Sequence, residues 1–179
     1  MIEYEKTYLV GTLPANLAGC TFDDIIDRYL PVSAAHPCLR LRTRKDRTEL
    51  TKKMPVADSA SVQKEQTIIL EPAEAAVIAE LPSKYLAKRR YYLPVGELTA
   101  EVDVYAGDLS GLVYVEFEFE NEQQLNAFSP PDWCGSDVSE EAWAAGGPLA
   151  GKSYDDIEPH LKKRNYQRLD VPDLLRNFG

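Results

Sequence analysis

Apolar and polar residues alternate along most of the first 120 positions. A period of two is the mark of a strand with one buried and one polar face. Ile2 to Val10 begins the pattern, with Glu3, Glu5 and Thr7 on one face and Ile2, Tyr4, Tyr8 and Val10 on the other. After a turn over Thr12 to Cys20, the spacing predicts strands over Ile25 to Leu30, Leu39 to Arg44, Thr48 to Lys53, Val62 to Leu70, Tyr85 to Leu93, Leu98 to Tyr105 and Leu112 to Phe119, separated by Gly, Pro and polar turns. Helices are predicted from Pro72 to about Glu80, over Glu120 to Phe128, over Ser139 to Ala145 with Ser139 as N-cap, from Tyr154 to about Arg168, and over Pro172 to Asn177. Tyr4, Tyr8, Val102, Val104, Phe117 and Phe119 read as core beneath the helices, and the Pro72 helix as a packing element through Ala73, Ala76, Val77 and Leu81.

The polar faces carry charge instead of the usual mixture of Thr, Ser, Gln and Lys. Glu3, Glu5, Glu65, Glu101, Asp103, Glu116 and Glu118 form an acidic set, and Arg40, Arg42, Lys53, Lys88 and Arg90 a basic one. Lys52 and Arg89 fall out of phase with the basic face and are expected in solvent, while Trp133 reads as a packing anchor. Like charges side by side on a sheet repel, so the pattern costs free energy unless water or a bound ion compensates. A plain sheet with a solvated charged face accommodates it. So does a barrel whose apolar outside is covered by the late helices and whose charged face is interior. Inside a barrel, charges must be hydrated, neutralised across the lumen or bound to ions. A lumen with both signs suits a divalent cation held by carboxylate oxygens and a phosphate chain held by Arg and Lys.

Composition narrows the choices. A chain of 179 residues with 44% hydrophobic content fits one domain with a small C-terminal appendage. The net charge of -9 argues against a nucleic-acid or anionic-membrane surface, and Lys162-Lys163-Arg164 reads as a few exposed charges near a helix end. Cys20, Cys38, Cys134, His36 and His160 lack metal-ligand spacing, so the thiols read as buried or idle in a reducing compartment. The N-terminus starts directly on a charged strand pattern and no apolar run reaches transmembrane length, so a cytoplasmic protein is expected. No Ser/His/Asp or Cys/His constellation offers a covalent nucleophile.

These strands resemble the CYTH superfamily, or triphosphate tunnel metalloenzymes, which includes inorganic triphosphatases, thiamine triphosphatases and CyaB-type adenylyl cyclases. Glu3-Tyr4-Glu5-Lys6-Thr7 resembles the opening Glu-x-Glu-x-Lys strand, and Leu39-Arg40-Leu41-Arg42 the Arg-x-Arg strand. Glu49-Leu50-Thr51-Lys52-Lys53 and Lys88-Arg89-Arg90-Tyr91 are similar to the later basic strands. Glu101 to Gly107 and Val115 to Phe119 are similar to the two acidic strands, and Pro131-Asp132-Trp133-Cys134-Gly135 to the tryptophan-glycine turn. The resemblance runs in order from Ile2 to Leu149.

It implies an α+β fold, mainly antiparallel β, in which an eight-stranded closed β-barrel forms the tunnel and helices pack outside. Residues 1–150 would be the tunnel domain and 151–179 a C-terminal helical extension, which could cap a mouth, support a homodimer or pack outside. The ligands implied are a small-molecule triphosphate and Mg²⁺ or Mn²⁺. Glu3, Glu5, Asp103, Glu116 and Glu118 would be the metal-side carboxylates, with Glu65 and Glu101 as further candidates, and Arg40, Arg42, Lys53, Lys88 and Arg90 would hold phosphate oxygens. Glu5, Lys53 and Lys88 would be catalytic. The implied activity is metal-assisted hydrolysis of a triphosphate, tripolyphosphate first. A non-catalytic triphosphate binder, a thiamine triphosphatase and an adenylyl cyclase are the alternatives. One position departs: the motif lysine is Thr7 here, so either a bulge turns Lys6 inward or the site has one cation fewer.

Overall fold

The computed structural model describes residues 2–45, 47–56 and 59–178; at residues 2, 3, 55, 56 and 59–63 it describes the backbone alone. Among the described residues, nine strands form one antiparallel sheet: β1 (Ile2–Val10), β2 (Thr21–Leu30), β3 (Leu39–Arg44), β4 (Arg47–Val56), β5 (Ser59–Leu70), β6 (Lys84–Val95), β7 (Leu98–Tyr105), β8 (Val113–Phe119) and β9 (Cys134–Asp137). They lie in the order β5-β4-β3-β2-β6-β7-β8-β1-β9, and β5 pairs additionally with β1. That extra pairing sets Ile2 opposite Lys64 and Tyr4 opposite Val62. Short helices accompany the sheet: α1 (Pro72–Ala79), α2 (Glu122–Ala127), α3 (Gly146–Leu149) and α4 (Tyr154–Lys162). The fold is thus α+β with antiparallel strands dominant. Among the described residues, no helix is long and apolar enough to cross a membrane.

The two faces of the sheet have different fates. On β6, β7, β8 and β1 the outer face is apolar: Tyr91, Leu93, Ala100, Val102, Val104, Val113, Val115, Phe117, Tyr8 and Val10 make one core with Leu17, Leu125 of α2, Val171 and Leu174. Trp133 packs against this core, its ring 6.3 Å from Phe117. A second core lies at one end of the inner face, where Leu9, Tyr29, Leu86, Tyr105, Leu112 and Tyr114 meet Leu149, Tyr154, Ile157 and Leu161. Residues after 150 therefore contribute to both cores, with α4 over the inner-face end and Val171 and Leu174 on the outside.

Several expectations need correction. Arg89 is not in solvent: it is buried on the outer face, held by Asp24 at 2.6 and 2.8 Å, and donates to the carbonyls of Leu174 and Arg176 at 3.2 and 3.0 Å. It ties the tail to the sheet. The helix over Ser139 to Ala145 reduces to a 3-10 turn at Ala142–Ala144, because the Ser139 hydroxyl accepts the backbone N–H of Thr7 at 2.9 Å instead of capping a helix. The helix from Tyr154 ends at Lys162, shortly before Asn165 takes a positive φ of 53°. Over Pro172 to Asn177 there is a 3-10 turn at Asp173–Leu175. α1 buries none of its residues, and Val77 and Leu81 are exposed. β9 was not foreseen; it pairs with the end of β1 at Tyr8 and Val10.

Candidate functional site

The inner face of the strands encloses a cavity of about 560 Å³ with walls of opposite charge. Each wall follows from strand periodicity. β3 alternates Arg40, Arg42 and Arg44 inward with Leu41 outward, and the hairpin returns Glu49, Thr51 and Lys53 on the same side in register with it. β6 adds Lys88 and Arg90. Glu5 and Thr7 of β1, Glu101 of β7, and Glu116 and Glu118 of β8 line the facing wall, and Glu65 of β5 stands beside Lys53 at 3.1 Å. Lys53 Nζ also lies 3.8 Å from a Glu5 carboxylate oxygen. Toward one mouth the lining changes to Tyr29, His36 to Cys38, and the segment from Val138 to Pro148. That segment seats closely because Gly147 has no side chain: a Cβ there would lie 2.6 Å from the Pro37 carbonyl oxygen.

The structure brings together most of the residues that the sequence singles out. Asp103 is placed differently from the other carboxylates: it is fully buried and lies behind the cavity wall. Its oxygens accept from Arg90 Nε and Nη2 at 2.7 and 2.6 Å and from Lys88 Nζ. Arg90 in turn is gripped by Glu101 and Glu116. The side chain of Glu3 lies outside the described residues. Lys6 points away from the cavity and pairs with Asp137 at 2.9 Å. β1 pairs with β8 without a shift from Tyr4 to Leu9, so no bulge turns Lys6 inward and Thr7 occupies the cavity wall.

Charge follows this packing. Burial pushes the Lys88 ammonium pKa down, and neighbouring Arg90 adds to the effect against the pull of Asp103. Burial also raises the Glu101 carboxyl despite Arg90. For Glu116 burial acts upward, but Arg90, Lys88 and Lys53 outweigh it and hold the carboxyl well below the usual range. Glu65 is drawn down by Lys53 and Thr67 against its burial.

Among the described residues, no three Asp, Glu, His or Cys side chains are gathered into a ready-made cation site. Glu101 and Glu116 are turned onto Arg90. The donor set nevertheless suits a hard divalent cation. Register sets Glu5 directly opposite Glu118 and Glu101 directly opposite Glu116, all on the cavity side. Opposed like charges destabilise a sheet, and an oxygen-only donor set matches Mg²⁺ or Mn²⁺ and not a softer metal.

Tyr29, Ser139 and Glu141 were not foreseen among the lining residues, while Arg44 and Glu49, read in phase with the basic face, were not assigned to the site. Tyr29, Arg44 and Glu49 share the inward phase of their strands, a signal the alternation carried. Ser139 and Glu141 come from a loop, where no periodicity marks a face. Asp27, behind the wall, was also missed; it is on the inward phase of β2 with Ile25 and Tyr29 and is fully buried.

No family model matches the chain. A protein of Nitrosomonas europaea named inorganic triphosphatase is 31% identical over 144 residues, covering 79% of this chain and 91% of that protein. Among solved structures, the crystal structure of an inorganic triphosphatase is similar with a TM-score of 0.61 at 27% identity, covering 84% of this chain and 95% of the other. A structure from Bacillus halodurans shares the fold at a TM-score of 0.54 and 14% identity, over 98% of this chain and 96% of its own. With opposed charged walls built from the motif strands, and a relative of this identity matched over nearly its whole length, the chain belongs to the CYTH superfamily of triphosphate tunnel proteins.

Proposed function

We propose that this protein hydrolyses a small triphosphate, inorganic tripolyphosphate first, with Mg²⁺ or Mn²⁺, inside a tunnel closed by strands β1 to β8. The observation that carries the reading is the cavity itself, with arginines and lysines of β3, β4 and β6 facing glutamates of β1, β7 and β8. The antiparallel pairing of β1 with β5 supports closure, because it joins the two ends of the strand series β5 to β1. The relative from Nitrosomonas europaea is named for the same activity. Residues 151–179 read as an extension of a 1–150 tunnel unit, contributing to both of its cores.

In this scheme Arg40, Arg42, Lys53, Lys88 and Arg90 hold the phosphate oxygens and neutralise charge that develops on the departing phosphate. Arg groups bind such oxygens through paired N–H donors, and Lys through a compact charge. Glu5, Glu116 and Glu118 would hold the divalent cation, which supplies electrophilic charge to the phosphate oxygens. Glu5, 3.8 Å from Lys53, orients the attacking water against the chain. Asp103 serves the basic wall by fixing Arg90 and Lys88. No covalent intermediate is required.

The test is phosphate release from tripolyphosphate, ATP and thiamine triphosphate with Mg²⁺, with Mn²⁺ and with chelator, for wild type, Glu5→Gln and Arg42→Ala. Metal-dependent release that both substitutions abolish is expected. Thr7 in the cavity wall, with Lys6 held outside by Asp137, favours one alternative, a protein that binds the triphosphate without turnover. Binding of tripolyphosphate with no release under any condition would decide for it.

A further inference from the structure

Asp27 has no part in the scheme above, yet it is among the most enclosed charges in the molecule. It stands on the inner face of β2, behind the cavity wall, directly opposite Arg42 in the β2–β3 register. Arg42 Nε and Nη2 donate to its two oxygens at 2.7 and 2.8 Å. Arg40, two residues away on the same face, brings its Nε to 4.0 Å from the same carboxylate. That Nε is buried and has no hydrogen-bond partner among the described residues. Both arginines line the cavity.

A guanidinium gripped through Nε and Nη2 has its plane set, and the remaining edge is turned away from the gripping carboxylate. The arrangement repeats across the site. Asp103 faces Arg90 in the β6–β7 register, is likewise fully buried, and takes Nε and Nη2. The aspartate also sets a limit on affinity, since its negative charge partly offsets two cations that an anionic ligand needs. Burial alone would raise the Asp27 carboxyl, but Arg42 and then Arg40 and Lys88 hold it well below the ordinary carboxylate range, so it stays charged at neutral pH.

We infer that Asp27 is a positioning residue for the phosphate-binding arginines: from behind the wall it locks Arg42, and draws in Arg40, so that both meet the phosphate chain in one fixed orientation. This rests on the triphosphatase reading proposed above. Orientation is gained at the expense of ground-state affinity, and the two effects separate experimentally. Fixed groups raise turnover, and small misplacements lose about a hundredfold in rate.

The experiment compares wild type, Asp27→Asn, Arg42→Lys and the double variant. Tripolyphosphate hydrolysis is followed with Mg²⁺, tripolyphosphate binding is measured calorimetrically in chelator at low salt, and thermal melts give the folded fraction. Asp27→Asn is expected to lower kcat by about tenfold or more while binding in chelator tightens about threefold. In the Arg42→Lys background, which lacks the fork, Asp27→Asn should change kcat by less than about twofold. A residue that merely supports the fold would reduce activity in step with the folded fraction, leaving kcat per folded molecule and affinity unchanged, and that result overturns the inference. So does an equal loss in both backgrounds. Should wild type bind tripolyphosphate without hydrolysing it, the triphosphatase reading fails, and unchanged binding in Asp27→Asn would then sink the positioning role separately. Absence of binding by wild type removes both.

Discussion

Asp103→Ala perturbs the most heavily paired carboxylate behind the basic wall. The wild-type side chain is fully buried and accepts from Arg90 Nε at 2.7 Å, from Arg90 Nη2 at 2.6 Å and from Lys88 Nζ. Hydrogen bonds to charged partners contribute about 1.5–3 kcal/mol each, though not additively, and breaking a buried ion pair from one side costs about 3–5 kcal/mol. Arg90 keeps Glu101 and Glu116 in the variant, so the lower half of that range applies, about 3–4 kcal/mol. With a urea m-value of about 2 kcal/mol per molar, the unfolding midpoint should fall by about 1.5–2 M at unchanged m. The effect should also depend on pH. The Lys88 pKa, already lowered by burial and Arg90, falls further without its aspartate. Between that lowered value and its unfolded value the unfolded chain binds more protons, so the variant's stability rises with pH over that interval and part of its deficit is recovered toward alkaline pH. Glu158→Gln, which breaks the exposed Lys162–Glu158 pair, should cost less than about 0.5 kcal/mol and serves as control. The measurement is made in chelator. A midpoint shift below about 0.5 M there, with a large loss of metal-induced stabilisation instead, would refute the ion-pair account and return Asp103 to the metal.

Three more outcomes are expected. Glu116 has its folded pKa depressed below its unfolded 4.5, and Asp27 below 3.8, so both contribute stability that is present above those values and lost as pH falls through them toward the folded values; the unfolding free energy from urea titrations should drop between pH 5 and pH 3, by up to about 1.4 kcal/mol per pH unit per group, and a flat profile would contradict the assignment. Thr7→Lys places a cation on the wall opposite Glu116 in the β1–β8 register and should raise kcat/KM for tripolyphosphate by about threefold to tenfold; no gain in steady-state kinetics would mean that the existing cations already suffice. Gly147→Ala forces a methyl toward the Pro37 carbonyl, 2.6 Å from where its Cβ would lie, and should cost about 1–3 kcal/mol in thermal melts while disturbing the mouth.

What the sequence determined by itself is the division into faces. A strand repeats every two residues, so Arg40 with Arg42, Lys88 with Arg90 and Glu116 with Glu118 had to share a side wherever the strands went, and Val113, Val115 and Phe117 had to take the other. The motif order added the family. Only the tertiary structure decided which charges meet. Asp103 and Glu101 have the same phase on β7, but register sets Asp103 opposite Arg90 and Glu101 opposite Tyr92 and Glu116, so one is enclosed behind the wall and the other lines the cavity. Asp27 was overlooked because the strand is read from Ile25, where one aspartate between Ile25 and Tyr29 resembles a solvated residue until Arg42 is placed across from it. Arg89, out of phase with the basic wall, looked like a surface charge; it is buried because Asp24 and the carbonyls of the returning tail converge on it. Alternation is local, set by backbone geometry within one strand, whereas pairing depends on register and chain return across dozens of residues, which no single strand encodes.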